Sequence, residues 1–202
     1  DKNNTKTVSQ AILQGLAEDG GLFVPQQFPQ IDWAKLDPKL SYPEFAATIL
    51  ADYFKGDELE SQLADICKNA FNFPLVVRPL NKNTSIMELF HGPTLAFKDI
   101  ALQFLGRVFD YLLEQNGQRI TIIGATSGDT GSAAIEACKG RKNITITILH
   151  PHGRTSDIQR RQMTSVVADN VHNIAIEGTF DDCQAILKAL FADKQFSGSA
   201  SL

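Results

Sequence analysis

Apolar positions recur at helical spacing through the first seventy residues. Val8, Ala11, Ile12 and Leu16 predict a helix over 8–17. Asp19-Gly20-Gly21 breaks it, and Pro25 and Pro29 mark an irregular connection. A second helix is expected over 42–54, with Pro43 in the first turn, where its missing N–H costs nothing. Leu59, Leu63, Ile66 and Ala70 share one face of a third, over 57–71. At Pro74 the pattern changes. Short apolar runs over 75–80 and 85–90 read as strands. A long helix follows, from about Thr94 or Lys98 to Leu113, closed by Asn116-Gly117. Strands over 120–123, 144–149 and 171–176 then alternate with helices over 130–139, 156–164 and 180–192, the last with Cys183, Leu187 and Leu190 inward. Such alternation predicts an α/β chain, a parallel sheet with helices on its faces and right-handed crossovers. Two domains are expected: a mostly helical one over 1–80 and an α/β one over 81–202. No strand follows the last helix, and the short tail Phe196–Leu202 ends the sequence. With no initiator Met, the chain is expected to be a fragment of a longer one.

Composition narrows the class without naming an activity. Hydrophobic residues make up 43% and charged ones 21%, which leaves enough apolar material for a real core in 202 residues. The net charge of −4 comes without a basic run, so neither nucleic acid nor an acidic membrane surface is expected as a partner. Apolar stretches are too short to span a bilayer, and the start at Asp1-Lys2-Asn3-Asn4 lacks a signal-peptide core. Cys67, Cys138 and Cys183 are scattered and odd in number, which favours reduced thiols in a cytoplasmic protein over disulfides or zinc.

Two segments carry candidate chemistry. The first is Phe90-His91-Gly92-Pro93-Thr94-Leu95-Ala96-Phe97-Lys98-Asp99. Lys98 falls at a helix start, where the positive end of the macrodipole repels an ammonium group. Together with apolar neighbours Leu95, Ala96 and Phe97, that placement favours the neutral amine that attacks an aldehyde. A solvated surface lysine is the bland alternative. The second segment, Gly124-Ala125-Thr126-Ser127-Gly128-Asp129-Thr130-Gly131, links a strand's carboxyl end to a helix start. Its glycines allow close backbone approach, and its hydroxyls and first N–H groups suit a carboxylate or phosphate. It matches neither a dinucleotide loop nor a P-loop, and Asp129 opposes a polyphosphate. A merely capped tight turn uses the same residue types.

Further along, His150 and His152 lack a third ligand nearby, so a loop role outweighs a metal site, and no metal is expected. Arg154 either grips a phosphate or is solvated. Thr179 reads as an N-cap, with Asp181 and Asp182 in the first turn of the last helix.

Taken together, the segments 19–25, 88–99, 125–133 and 178–184 resemble the threonine synthase family, pyridoxal-phosphate enzymes of fold type II, related to tryptophan synthase β. The resemblance covers nearly the whole chain in family order and is closest to members with an extra N-terminal domain. It implies a three-layer parallel-sheet catalytic domain, here incomplete at its C-terminal side. It implies a carbon–oxygen lyase converting O-phospho-L-homoserine and water to L-threonine and phosphate, with pyridoxal 5'-phosphate as cofactor. Lys98 would form the Schiff base and then move protons at the α and β carbons. Thr126, Ser127, Gly128 and Thr130 would hold the substrate carboxylate. Asp129, where relatives often have Asn, would lie near the cofactor's 3-oxygen. Arg154 falls where the family usually has Lys and would contact substrate. The family's glycine-rich loop for the cofactor phosphate would lie downstream, so residues 1–202 alone are expected to be inactive. A related phospho-lyase, or a non-catalytic anion-binding module of the same fold, are the alternatives. Oligomeric state is not legible.

Overall fold

In a computed structural model, residues 4–193 and 195–196 are described. The chain divides into two compact units, 1–72 and 73–202. The division falls earlier than the boundary expected at residue 80. The reason is a hairpin: β1 (Val76–Asn81) pairs antiparallel with β2 (Thr84–Glu88), so residues 76–80 belong to the second unit.

The first unit is helical. α1 (Val8–Gln14) opens on a capping box between Thr7 and Gln10 and ends at Gly15, short of the expected 8–17. Leu16 and Leu22 then bridge across the Asp19-Gly20-Gly21 turn. α2 (Tyr42–Ala51) carries Pro43 in its first turn and a Ser41/Glu44 capping box. The third expected helix splits. Asp57 is taken up by the N–H and hydroxyl of Ser9 and the N–H of Leu59, so 57–59 forms a turn that leads into a single 3-10 turn, Glu60–Gln62. α3 therefore covers only Leu63–Ala70. Phe54, Leu59, Leu63, Ile66, Cys67, Ala70 and Phe71 form this unit's core.

The second unit holds the parallel sheet. β3 (Ile120–Ala125), β4 (Ile144–Pro151) and β5 (Val171–Ile176) lie in that order, all parallel. α4 (Lys98–Asn116) precedes them. α5 (Asp129–Cys138) and α6 (Asp157–Thr164) make the two crossovers, and α7 (Phe180–Ala192) follows β5. Right-handed crossovers in this simple order place α5 and α6 on one face. α4 packs against α5, and Leu102, Leu105 and Phe109 of α4 line one pocket with Ala134 and Ala137 of α5 and Ile122 and Ile146 of the sheet, on that same face. α7 packs on β3 and β4 instead, which gives the three layers. β4 is the central strand, so no residue of it is exposed, and Ile144, Ile146, Ile148 and Leu149 are all buried. Helix ends agree with the expected spans within a few residues, and 171–176 and 180–192 agree fully. The strand β4 runs on through His150 and Pro151, which the sequence placed in a loop. The tail 197–202 and the polar start 1–3 lie outside the described residues.

Candidate functional site

The carboxyl ends of β3 and β4 carry the site. β3 ends at Ala125, and the next three residues turn directly into α5. Thr126 anchors the turn: its N–H donates to the Leu149 carbonyl at 3.0 Å, and its hydroxyl oxygen accepts from the N–H groups of Gly128 and Gly131, both at 3.0 Å. Thr126 is 4% exposed, whereas Ser127, Asp129 and Thr130 face outward. The N–H groups of Ser127, Asp129 and Thr130 have no acceptor among the described residues, as expected at an uncapped helix start.

Gly128 has φ +152° and ψ −90°, a conformation open only to glycine. A Cβ there would also collide with Cδ of Gln159. Gly131 packs as closely: an added Cβ would meet Thr126 Cγ2 at 2.5 Å and Met163 Sδ at 2.9 Å.

Lys98 is the first residue of α4, at the positive end of the helix as the spacing predicts. It is half-buried and forms no ion pair among the described residues. Its Nζ lies 4.5 Å over the Phe97 ring. The apolar surroundings expected from its neighbours are only partly present, since Leu95 and Phe97 are 67% and 58% exposed.

The lysine's loop is fixed by Asp99. Its carboxylate is fully buried and accepts from the Thr94 N–H at 2.9 Å and the Thr94 hydroxyl at 2.8 Å. At the second helical position the macrodipole favours that negative charge. Gly92 packs so tightly on it that a Cβ would fall 2.5 Å from Oδ2. The same anchoring holds Leu95 at φ +60°, which costs a leucine roughly 1–3 kcal/mol.

Helix α6 joins the two loops. Gln159 Nε2 donates to Asp129 Oδ1 at 2.7 Å, and Gln162 Nε2 donates to the Thr94 carbonyl at 3.0 Å. The glutamines are three residues apart, so they share one helix face. Sequence reasoning saw only a helix here, and gave Asp99, Gln159 and Gln162 no role. The available signals were an acid in the first turn after Thr94 and two amides one turn apart.

The side chains of the remaining candidates make no hydrogen bond to either loop among the described residues. Arg154 is exposed, and its charge helps hold Asp182 below the ordinary carboxylate range, after the two hydrogen bonds from Thr179. Those bonds are a capping box, the role expected for Thr179. His150 is buried, its Nδ1 without a hydrogen-bond partner among the described residues, while His152 is exposed and pairs with Glu177 at 2.7 Å.

Comparisons with known proteins agree on one relationship. Residues 1–71 match the family described as threonine synthase N terminus, and residues 80–199 match pyridoxal-phosphate dependent enzyme. A threonine synthase of Pseudomonas aeruginosa is 48% identical over 194 residues, spanning 92% of this chain and 41% of that protein. The Saccharomyces cerevisiae threonine synthase is 45% identical, over 96% of this chain and 42% of that one. The solved structure of pyridoxal-phosphate-bound threonine synthase from Brucella melitensis superposes with a TM-score of 0.90 at 47% identity, covering 96% of this chain and 43% of that one. The chain thus spans less than half the length of the curated relatives it matches.

Proposed function

Because this chain belongs to the pyridoxal-phosphate-dependent enzymes, we propose that it serves threonine synthesis from O-phospho-L-homoserine and water, with release of phosphate. One observation carries the reading. An amine with no acidic partner among the described residues stands at a helix start, and α6 ties its loop to a second loop of exposed N–H and hydroxyl donors.

The residues present fit the cofactor's chemistry. Lys98 offers a primary amine to an aldehyde, and Asp129, steadied by Gln159, offers a carboxylate to the cofactor's 3-oxygen. When bound, pyridoxal phosphate supplies that aldehyde and a ring able to take up electrons. The amine of Lys98 is then the group that accepts and returns protons at the substrate's α and β carbons. The substrate carboxylate meets the N–H groups of Ser127, Asp129 and Thr130 and the hydroxyls of Ser127 and Thr130, donors at the positive end of α5. Thr126 and Gly128 shape this cradle: the Thr126 oxygen and the Gly128 N–H bond to each other, leaving the Thr126 hydroxyl hydrogen to donate. Arg154 adds positive charge for the substrate's anionic end. A cytoplasmic setting belongs to the same reading. Among the described residues no helix is long and apolar enough to cross a membrane.

The test uses the full protein carrying this sequence, supplied with pyridoxal phosphate. Borohydride reduction should fix the cofactor on Lys98, read by peptide mass. Lys98→Ala should abolish threonine formation, whereas residues 1–202 alone should show no turnover. Full activity in the Lys98→Ala protein would overturn the assignment. A keto acid in place of threonine would favour the phospho-lyase alternative.

A further inference from the structure

The two loops of the site come from different connections, and neither binds the other directly in any hydrogen bond among the described residues. Both bind α6. That helix is itself well fixed. Its N-terminus carries a capping box, with the Ser156 hydroxyl donating to Gln159 Oε1 at 2.9 Å. Met163 is fully buried and plugs the space under Gly131. Asn173 of β5 donates to the Met163 carbonyl at 3.1 Å.

From this fixed base the two amides reach in different directions. Gln159 is oriented from both ends. Ser156 occupies its oxygen, which leaves its nitrogen for Asp129. Its side chain also lies against the backbone of Gly128, so it contacts two consecutive residues of the cradle. Gln162, one turn on, takes the free carbonyl of Thr94. The N–H and hydroxyl of Thr94 are already held by Asp99, the residue after Lys98. The path from Asp129 to Lys98 is therefore short and continuous: Gln159, one turn of helix, Gln162, Thr94, Asp99.

We propose that α6 is the spacer of the active site, with Gln159 and Gln162 acting as positioning residues that set Asp129 and the Lys98 loop at the distance the chemistry needs. Neither glutamine touches the reacting atoms in this assignment. It rests on the reading of Lys98 and Asp129 given above. Glutamine suits the task because its amide is long, uncharged and able to donate and accept at once. A helix merely filling the surface would need no such pair, and α6 otherwise leaves Ile158 73% exposed.

The experiment uses the full protein, with and without pyridoxal phosphate, as Gln159→Glu and Gln162→Leu variants. Gln159→Glu keeps size and the Ser156 bond but sets a second carboxylate against Asp129. Its expected effects are a loss in kcat of at least about tenfold, the scale of one charge-assisted hydrogen bond, and a displaced visible band of the bound cofactor. Its melting temperature should stay within about 2 °C of wild type, because the amide is not part of a core. Gln162→Leu should speed hydrogen exchange of the Thr94 and Leu95 amides at least about tenfold in the cofactor-free protein. Wild-type kcat, band and exchange in both variants would overturn the spacer role, as would losses fully matched by a fall in melting temperature. If borohydride fixes no cofactor on Lys98 in the wild-type protein, the functional reading fails instead. The exchange measurement then decides the tie through α6 by itself.

Discussion

Asn170 closes the far end of α5, and its replacement gives the sharpest stability test in the molecule. Its amide nitrogen donates towards three carbonyls: Ile144 at 2.8 Å, Cys138 at 2.9 Å and Arg141 at 3.2 Å. Its Oδ1 accepts from the Gly140 N–H at 2.8 Å. One side chain thus satisfies carbonyls left over where α5 ends and ties the turn after it to the start of β4. Two N–H protons and one acceptor are at stake, each worth about 1 kcal/mol net. Asn170→Ala should therefore cost about 2–3 kcal/mol, since water replaces part of the loss at this half-buried position. For a domain of this size that lowers the melting temperature by about 5–10 °C.

Asn170→Asp has the same shape and should be worse. It keeps the bond from Gly140 but turns a negative oxygen towards three carbonyl oxygens, adding about 1 kcal/mol or more. The assay is urea or thermal unfolding followed by circular dichroism, with hydrogen exchange at Gly140 as the local readout. Exchange there should quicken in the Ala protein and not in the Asp protein. The reasoning is refuted if the Asp variant is as stable as wild type, or if the Ala variant loses less than about 0.5 kcal/mol.

Two further outcomes are expected. Gly131→Ala drives a methyl group into Thr126 and the buried Met163, so it should cost about 1–3 kcal/mol and weaken substrate binding, read by unfolding and by KM. Acid should destabilise the protein through carboxylates whose native values are depressed. Burial pushes Asp57 up, but the bonds from Ser9 and Leu59 outweigh it, and Glu88 is held down first by its bond to His91. A depressed value adds stability above the ordinary carboxylate range that is lost as pH falls through it, so the denaturation midpoint should drop below about pH 4. Ser9→Ala should flatten part of that drop, and an unchanged pH profile would show that Asp57 contributes nothing.

The sheet and its helices were legible because their signals are local and repeated. The run 144–149 could only be a buried strand, and Thr179 with Asp182 announced its own helix start. The expected helix over 57–71 was misread because Asp57 is spent on Ser9, forty-eight residues away, and no local pattern records such a bond. Lys98 and the hydroxyl loop were legible as candidates from residue type, and both stand at helix starts as expected. Their supports were not. Asp99, Gln159, Gln162 and Asn170 are ordinary polar residues whose roles exist only once α6 and the sheet bring distant segments together.

That division of labour runs residue by residue through both loops. Thr94 is buried and Leu95 exposed, Ala96 buried and Phe97 exposed, and the half-buried Lys98 is followed by the fully buried Asp99. In the second loop buried Thr126 precedes exposed Ser127, and buried Gly128 precedes exposed Asp129. Each presented residue is thus next to a buried one. Strain at Leu95 and the glycine-only turn at Gly128 fall within these alternating stretches, where anchors on both sides can hold an unfavourable backbone in place. The consequence is that anchors and presented groups should fail differently. Removing a presented group such as Ser127 or Thr130 should alter substrate binding and leave the fold intact. Removing an anchor such as Asp99 or Thr126 should release the loop, so that binding and local stability are lost together. An intact loop in a protein lacking the Asp99 carboxylate would show that the alternation is incidental.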